Sequence, residues 1–141
     1  MPRVLFHLAF PVHDLDAARD FYVDGLGCEA GRRSEHSLIL NLRGNQIVAQ
    51  LTPDIPRQKG IYPRHFGLVF REKKDWDELW ARVRNRNLKV YMEPKQRFPG
   101  KPIEHHTFFL EDPSGNLLEF KHYVNKAAIF GEEDFAEVGD R

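Results

Sequence analysis

Histidine is the side chain with which this sequence has the most chemistry to offer. His7, His13, His36, His65, His105, His106 and His122 are imidazoles able to hold a divalent cation or move a proton near neutral pH. With them stand the carboxylate of Glu119, the phenol of Tyr123 and the amide of Gln50, which exchanges hydrogen bonds but is a poor base. None of these residues forms a short local motif. A site made from them must be assembled by folding, and spacing alone does not say which of them meet. Taken singly, a histidine is more often a surface or hydrogen-bonded core residue than a ligand, and a lone strand glutamate is more often solvated.

The elements that must position them are legible as periodicities. From Arg3 to Val12, Val4, Phe6, Leu8, Phe10 and Val12 alternate with Leu5, His7, Ala9 and Pro11, the two-residue period of a strand that turns His7 away from the Phe row. Asp14 is a predicted N-cap for a helix with the stripe Leu15, Ala18, Phe21, Tyr22 and Leu26, stopped by Gly25 and Gly27. A polar segment from Cys28 to His36 follows. Two β-rich runs, Ser37 to Leu42 and Gln46 to Thr52, then meet at Arg43, Gly44 and Asn45 as a predicted hairpin. Residues 53–63 carry three prolines and read as a linker.

After the linker the order returns. Arg64 to Phe70 alternates, with Phe66, Leu68 and Phe70 on one side and His65, Gly67 and Val69 on the other. Lys73 to Asn87 carries the helical stripe Trp76, Leu79, Trp80 and Val83. Strands are predicted at Lys89 to Met92, His106 to Glu111 and Leu117 to Tyr123, the last two joined through Asp112, Pro113, Ser114, Gly115 and Asn116. Both halves therefore read as βαβββ. They form one domain over residues 1–123, in modules of about 3–52 and 64–123, followed by a polar, acidic tail over 124–141.

Composition narrows the function. At 141 residues, 41% hydrophobic and 30% charged, the chain can bury a core without disulfides, and its lone Cys28 fits a reducing, cytoplasmic setting. Balanced counts of 21 basic and 21 acidic residues argue against nucleic acid or an anionic membrane surface as partner. A small-molecule substrate is instead what resemblance to a known family implies.

The runs FHLAFPVHDLDAARDFYVDGLGC, RHFGLVF and FFLEDPSGNLLEF, in that order, resemble the glyoxalase, bleomycin-resistance and extradiol-dioxygenase group, the vicinal-oxygen-chelate superfamily. The resemblance spans roughly Arg3 to Tyr123. It implies an α+β fold of two βαβββ modules whose curved mixed sheets surround a shared cleft, and it suggests a homodimer. Carried over by position, it also implies metal ligands at His7, His65 and Glu119, which lie 58 and 54 residues apart. Two imidazoles and one carboxylate suit Fe(II), with Zn, Mn, Ni or Co as further candidates. Gln50 is an optional extra donor, standing where the resemblance to glyoxalase I leads one to expect a catalytic glutamate.

The reaction implied is dioxygenation of a catechol-like or other chelating substrate, with His106 and Tyr123 as candidate acid/base groups. A glyoxalase-type lyase or an isomerase/epimerase working through a metal-bound enediolate is the second reading, and Gln50 counts against its glyoxalase I form. A metal-free ligand-binding protein like the bleomycin-resistance members is the third. Arg64 and Lys121 could attract an anionic substrate group, although solvated strand charges are the plainer explanation.

Overall fold

A computed structural model of the protein describes residues 3–131. The chain runs β1 (His7–Val12), α1 (Leu15–Arg19) continued by a wider π turn (Asp20–Gly25), β2 (Glu29–Arg33), β3 (Ser37–Leu42) and β4 (Asn45–Leu51). The second half repeats it with β5 (Phe66–Phe70), α2 (Lys73–Asn85), β6 (Val90–Arg97), β7 (His105–Glu111) and β8 (Leu117–Tyr123). Strand order is β1-β4-β3-β2 in one sheet and β5-β8-β7-β6 in the other, and in each sheet the first and last strands of the module pair in parallel. This is the expected α+β architecture of two βαβββ modules.

Local chemistry explains where the elements begin and end. The Asp14 carboxylate accepts from the Ala17 backbone N–H at 2.9 Å and caps α1 as predicted. Arg43 and Gly44 both take positive φ (49° and 93°), as a two-residue hairpin turn between β3 and β4 requires. The first strand is shorter than its alternation suggested. Its partner β4 starts at Asn45, with His7 opposite Gln46, so backbone pairing runs out at Phe6 and leaves Val4, Leu5 and Phe6 exposed.

Two segments correct the sequence reading. Residues 29–33, within the expected polar segment, form the edge strand β2, exposed along its whole length and so without the alternation that reveals a half-buried strand. Likewise β6 runs on to Arg97 instead of stopping at Met92. Pro94 is tolerated because this is an edge strand whose register shifts on both sides of Met92. Of the tail, Lys126–Ala128 form one 3-10 turn that packs Ala128 against Ile103 and Tyr123, and residues 132–141 lie outside those described.

One core serves both modules. Phe10, Val12, Phe21 and Tyr22 of the first join Trp76, Leu79, Val83, Phe108 and Phe120 of the second in a single buried cluster. A polar clasp fastens the junction. Asp112, 2% exposed, accepts from the Tyr22 hydroxyl at 2.7 Å, from the Asn116 side chain at 2.9 Å and from the backbone N–H groups of Ser114 and Asn116 at 2.8 Å. Asn116 in turn donates to the Pro11 carbonyl of β1 at 2.8 Å. Burial raises the Asp112 pKa although every one of these donors pulls it down. Asp112→Ala strands the fully buried Tyr22 hydroxyl and two backbone N–H groups, and should cost about 3 kcal/mol in urea unfolding, more than a surface Asp→Ala control.

Candidate metal centre

Parity along β8 sorts its side chains. Leu118 and Phe120 point into the core, so Glu119, Lys121 and Tyr123 share the opposite face of the second sheet. The same face is supplied on β7 by the residues paired with them, His105, Thr107 and Phe109, and on β5 by Gly67. His65 lies one residue before β5, on the side of Gly67. Fold and alternation thus bring together two of the predicted ligands: His65 Nε2 is 3.1 Å from Glu119 Oε1. The other carboxylate oxygen, Oε2, accepts from Thr107 Oγ1 at 2.6 Å, which fixes the rotation of the group.

The second ring nitrogen of His65 decides what that pair is suited to. Nδ1 donates to the Ile61 carbonyl at 2.7 Å, so in the neutral ring Nε2 carries a lone pair, aimed at a carboxylate oxygen. Two acceptors facing each other at 3.1 Å need a cation between or beside them. A proton meets the need, and the hydrogen bond to Glu119 does raise the His65 pKa while burial opposes it. Glu119 is driven the other way: burial would raise it, but His65, Thr107 and Lys121 together bring it below its ordinary value. A metal ion meets the need equally, since two ligands about 2.0–2.2 Å from one ion at a near-right angle stand roughly 3 Å apart. The backbone acceptor on Nδ1 is the usual outer partner of a metal-binding imidazole. That loop is held by Gln58, whose amide donates to the carbonyls of Gly60 and Arg64 on either side of Ile61.

The first module presents its histidine in the same manner. His7 Nδ1 meets Gln46 Oε1 at 2.7 Å, leaving Nε2 for a ligand, and the ring is exposed on the face of the first sheet that points away from the core. What it lacks is the carboxylate. Aligning His7 with His65 places Val48, which pairs with Ala9, at the position of Glu119, which pairs with Gly67. Gln50 then matches Lys121, two residues further on, and lies on the His7 face as an exposed side chain. Among the described residues no third His, Cys, Asp or Glu joins His65 and Glu119 in a group able to hold a metal. His65 and Glu119 belong to the second module and His7 to the first.

The sequence matches the family model of the Glyoxalase/Bleomycin resistance protein/Dioxygenase superfamily over residues 4–120. The chain belongs to this superfamily. A glyoxalase/bleomycin resistance protein/dioxygenase from Alicyclobacillus acidocaldarius is 45% identical, with a TM-score of 0.88 over 92% of this chain and 98% of its own. A lactoylglutathione lyase from Agrobacterium tumefaciens (22% identity, TM-score 0.64, covering 86% of this chain and 94% of its own) shares the fold. So does a glyoxalase/bleomycin resistance protein/dioxygenase from Nocardioides (17%, TM-score 0.68, 99% and 91%).

In this superfamily member the two candidate acid/base groups part company. Tyr123 lies on the Glu119 face, where Lys121 Nζ donates to its hydroxyl at 3.1 Å. His106 does not. It pairs across the hairpin with His122 on the helix-facing side, 5.7 Å from the Trp76 ring and 6.4 Å from the His122 ring, and burial lowers its pKa. Its neighbour His105 takes the place expected of it: buried, donating Nδ1 to the Ile103 carbonyl at 2.9 Å, with its ring 4.9 Å from that of Tyr123. His105 and Thr107 are the site residues that the sequence reading missed. Cys28 is buried, and burial pushes its thiol up to about 12. No helix among the described residues is long and apolar enough to cross a membrane.

Proposed function

We propose that this superfamily member is a metal-dependent enzyme of dioxygenase type, acting on a small molecule with two adjacent oxygens, and that His7, His65 and Glu119 hold the metal, with Fe(II) favoured. The observation that carries the reading is the His65–Glu119 pair, whose opposed lone pairs 3.1 Å apart call for a cation, beside an imidazole on the other sheet prepared in the same way. Fe(II) in this donor set supplies Lewis acidity toward paired substrate oxygens and the redox capacity that oxygen chemistry needs.

The chain's own groups supply the rest. Thr107 holds the Glu119 carboxylate in one orientation, and the Ile61 carbonyl holds His65 in one tautomer. By donating to the Tyr123 oxygen, Lys121 leaves the phenolic O–H directed elsewhere, as a proton donor to the substrate. His105 and Phe109, both buried, pack against the Tyr123 and His65 rings and hold them in place. Val48 at the Glu119-equivalent position and an amide at Gln50 leave the first module without a carboxylate base at either place, which disfavours the glyoxalase I type of proton transfer.

On this reading a homodimer related by a two-fold axis completes two sites at once, each with His7 from one copy and the His65–Glu119 pair from the other. Protein reconstituted with Fe(II) under nitrogen, then mixed with catechol in an oxygen electrode, should consume oxygen in step with ring opening. Turnover without oxygen uptake would assign the lyase or isomerase/epimerase reading instead, and tight ligand binding without metal a sequestering protein.

A further inference from the structure

The helix-facing side of the second sheet carries two imidazoles that the centre at His65 and Glu119 does not use. His106 of β7 and His122 of β8 are direct cross-strand partners, both half-buried, with ring centres 6.4 Å apart and ring planes inclined by 22°. Alternation puts them behind the sheet, on the side opposite Thr107, Glu119 and Tyr123. The His122 ring is fixed: Nδ1 donates to the Phe70 carbonyl of β5 at 3.0 Å, which in the neutral ring leaves a lone pair on Nε2. A backbone carbonyl on Nδ1 is the support that also holds His65, and it is the usual outer partner of a metal-binding imidazole. Among the described residues none hydrogen-bonds the His106 ring, which rests 5.7 Å from the Trp76 ring. Burial, with Lys73 and His122, lowers the His106 pKa, so at neutral pH this ring offers a lone pair.

We propose that His106 and His122 form a second metal site, which takes one ion of the Zn(II), Ni(II) or Cu(II) class and clamps β7 to β8. Two imidazoles on one ion at a tetrahedral angle, with bonds of about 2.0–2.1 Å, hold their ring centres roughly 5 Å apart. His106 therefore swings about 1 Å toward the fixed His122, a movement that breaks no hydrogen bond. Among the described residues no third His, Cys, Asp or Glu stands with the pair in a metal-holding group, so water takes the remaining positions. Such a pair holds Fe(II) less tightly than the three ions named, which separates its preference from that of the first centre. The surroundings accept the charge. Lys73, which acts on His106, is itself paired with Asp77 at 3.0 Å, and Gln96, next to His106 in the row across β6, donates its amide to the Glu104 carboxylate. An ion here ties together, from behind, the hairpin that presents Thr107, Glu119 and Tyr123, and it does so whether or not the first centre is filled.

The test is calorimetric titration with Zn(II) of the full chain carrying Glu119→Ala, which lacks the carboxylate of the first centre. One ion per chain should still bind, and adding either His106→Gln or His122→Gln should weaken that binding by at least about tenfold, since losing a ligand costs more than losing an outer partner. Zn(II) should raise Tm in the Glu119→Ala chain and lose that effect in both double variants. In the same Glu119→Ala chain, NMR should show Zn(II) shifting the ring Cε1–H signals of His106 and His122 and leaving that of the exposed His36 in place; these shifts decide the matter if a substitution impairs folding. No binding to the Glu119→Ala chain, equal affinity in both double variants, or ring shifts confined to other histidines overturns the proposal. A parent that binds one Zn(II), lost with His106→Gln and kept with Glu119→Ala, upholds this site and removes the metal reading of His65 and Glu119.

Discussion

Gly67→Ala should be the most damaging single-methyl change in the second module. Gly67 pairs with Glu119 across the parallel β5 and β8 strands, and a Cβ built on it falls 1.6 Å from the Glu119 carbonyl oxygen and 2.6 Å from its carbon. Those atoms are backbone and cannot swing aside. Either the strands separate, losing the ladder hydrogen bonds that hold edge strand β5 to β8, or Glu119 moves with its peptide away from His65 and Thr107. A cost of about 4 kcal/mol or more is expected, equivalent to a fall in Tm of roughly 12–16 °C for a domain of this size. Gly60 is the matched control: nothing lies within 4 Å of its built Cβ and its φ is not in the left-handed region. Gly60→Ala should leave Tm within a degree or two. Were Gly67→Ala as stable as the parent, the close approach of β5 to Glu119 would have to be wrong.

How much of this was visible in the sequence depends on whether a residue's surroundings are local. Alternation exposed β1, β5 and β8 because each buries one face only, and the repeat of strand and helix after residue 63 revealed two modules. The same rule failed at β2, where neither face is buried. It failed differently at β7. From Thr107 to Leu110 every residue is buried, so nothing in the hydrophobic pattern says which of His105 and His106 shares a side with Glu119. The parity follows only from the cross-strand partners, and a strand that starts at His105 puts the earlier histidine in the site. Register likewise decides which β4 residue corresponds to Glu119: the β1–β4 pairing gives that position to Val48, with Gln50 two residues further on the same face. The support of His65 by the Ile61 carbonyl, and of that loop by Gln58, had no sequence signal beyond a proline-rich linker. A glycine in a strand was a signal, for a close backbone approach at Gly67, that went unread.

Mixing two inactive proteins should restore metal binding. On the proposed arrangement, His7→Ala leaves every site with the His65–Glu119 pair and no third ligand, while Glu119→Ala leaves two imidazoles on different sheets and removes the carboxylate that holds His65. Each variant, loaded with Fe(II) under nitrogen and desalted, should retain less than about a tenth of the parent's metal, because loss of a ligand costs more affinity than the 10–100-fold typical of outer partners. When the two are unfolded together and refolded, half of the dimers carry one chain of each kind. In such a dimer one site lacks both His7 and Glu119, and the other takes His7 from the Glu119→Ala chain and the intact pair from the His7→Ala chain. One metal per mixed dimer is therefore expected, resolved by native mass spectrometry from the metal-free homodimers. A site assembled within one chain would show no such recovery, because neither variant chain contains all three donors. Thr107→Val supplies the graded comparison: with Oε2 released from its 2.6 Å hydrogen bond but every donor atom kept, affinity should fall by about tenfold and no complementation should be needed to see metal.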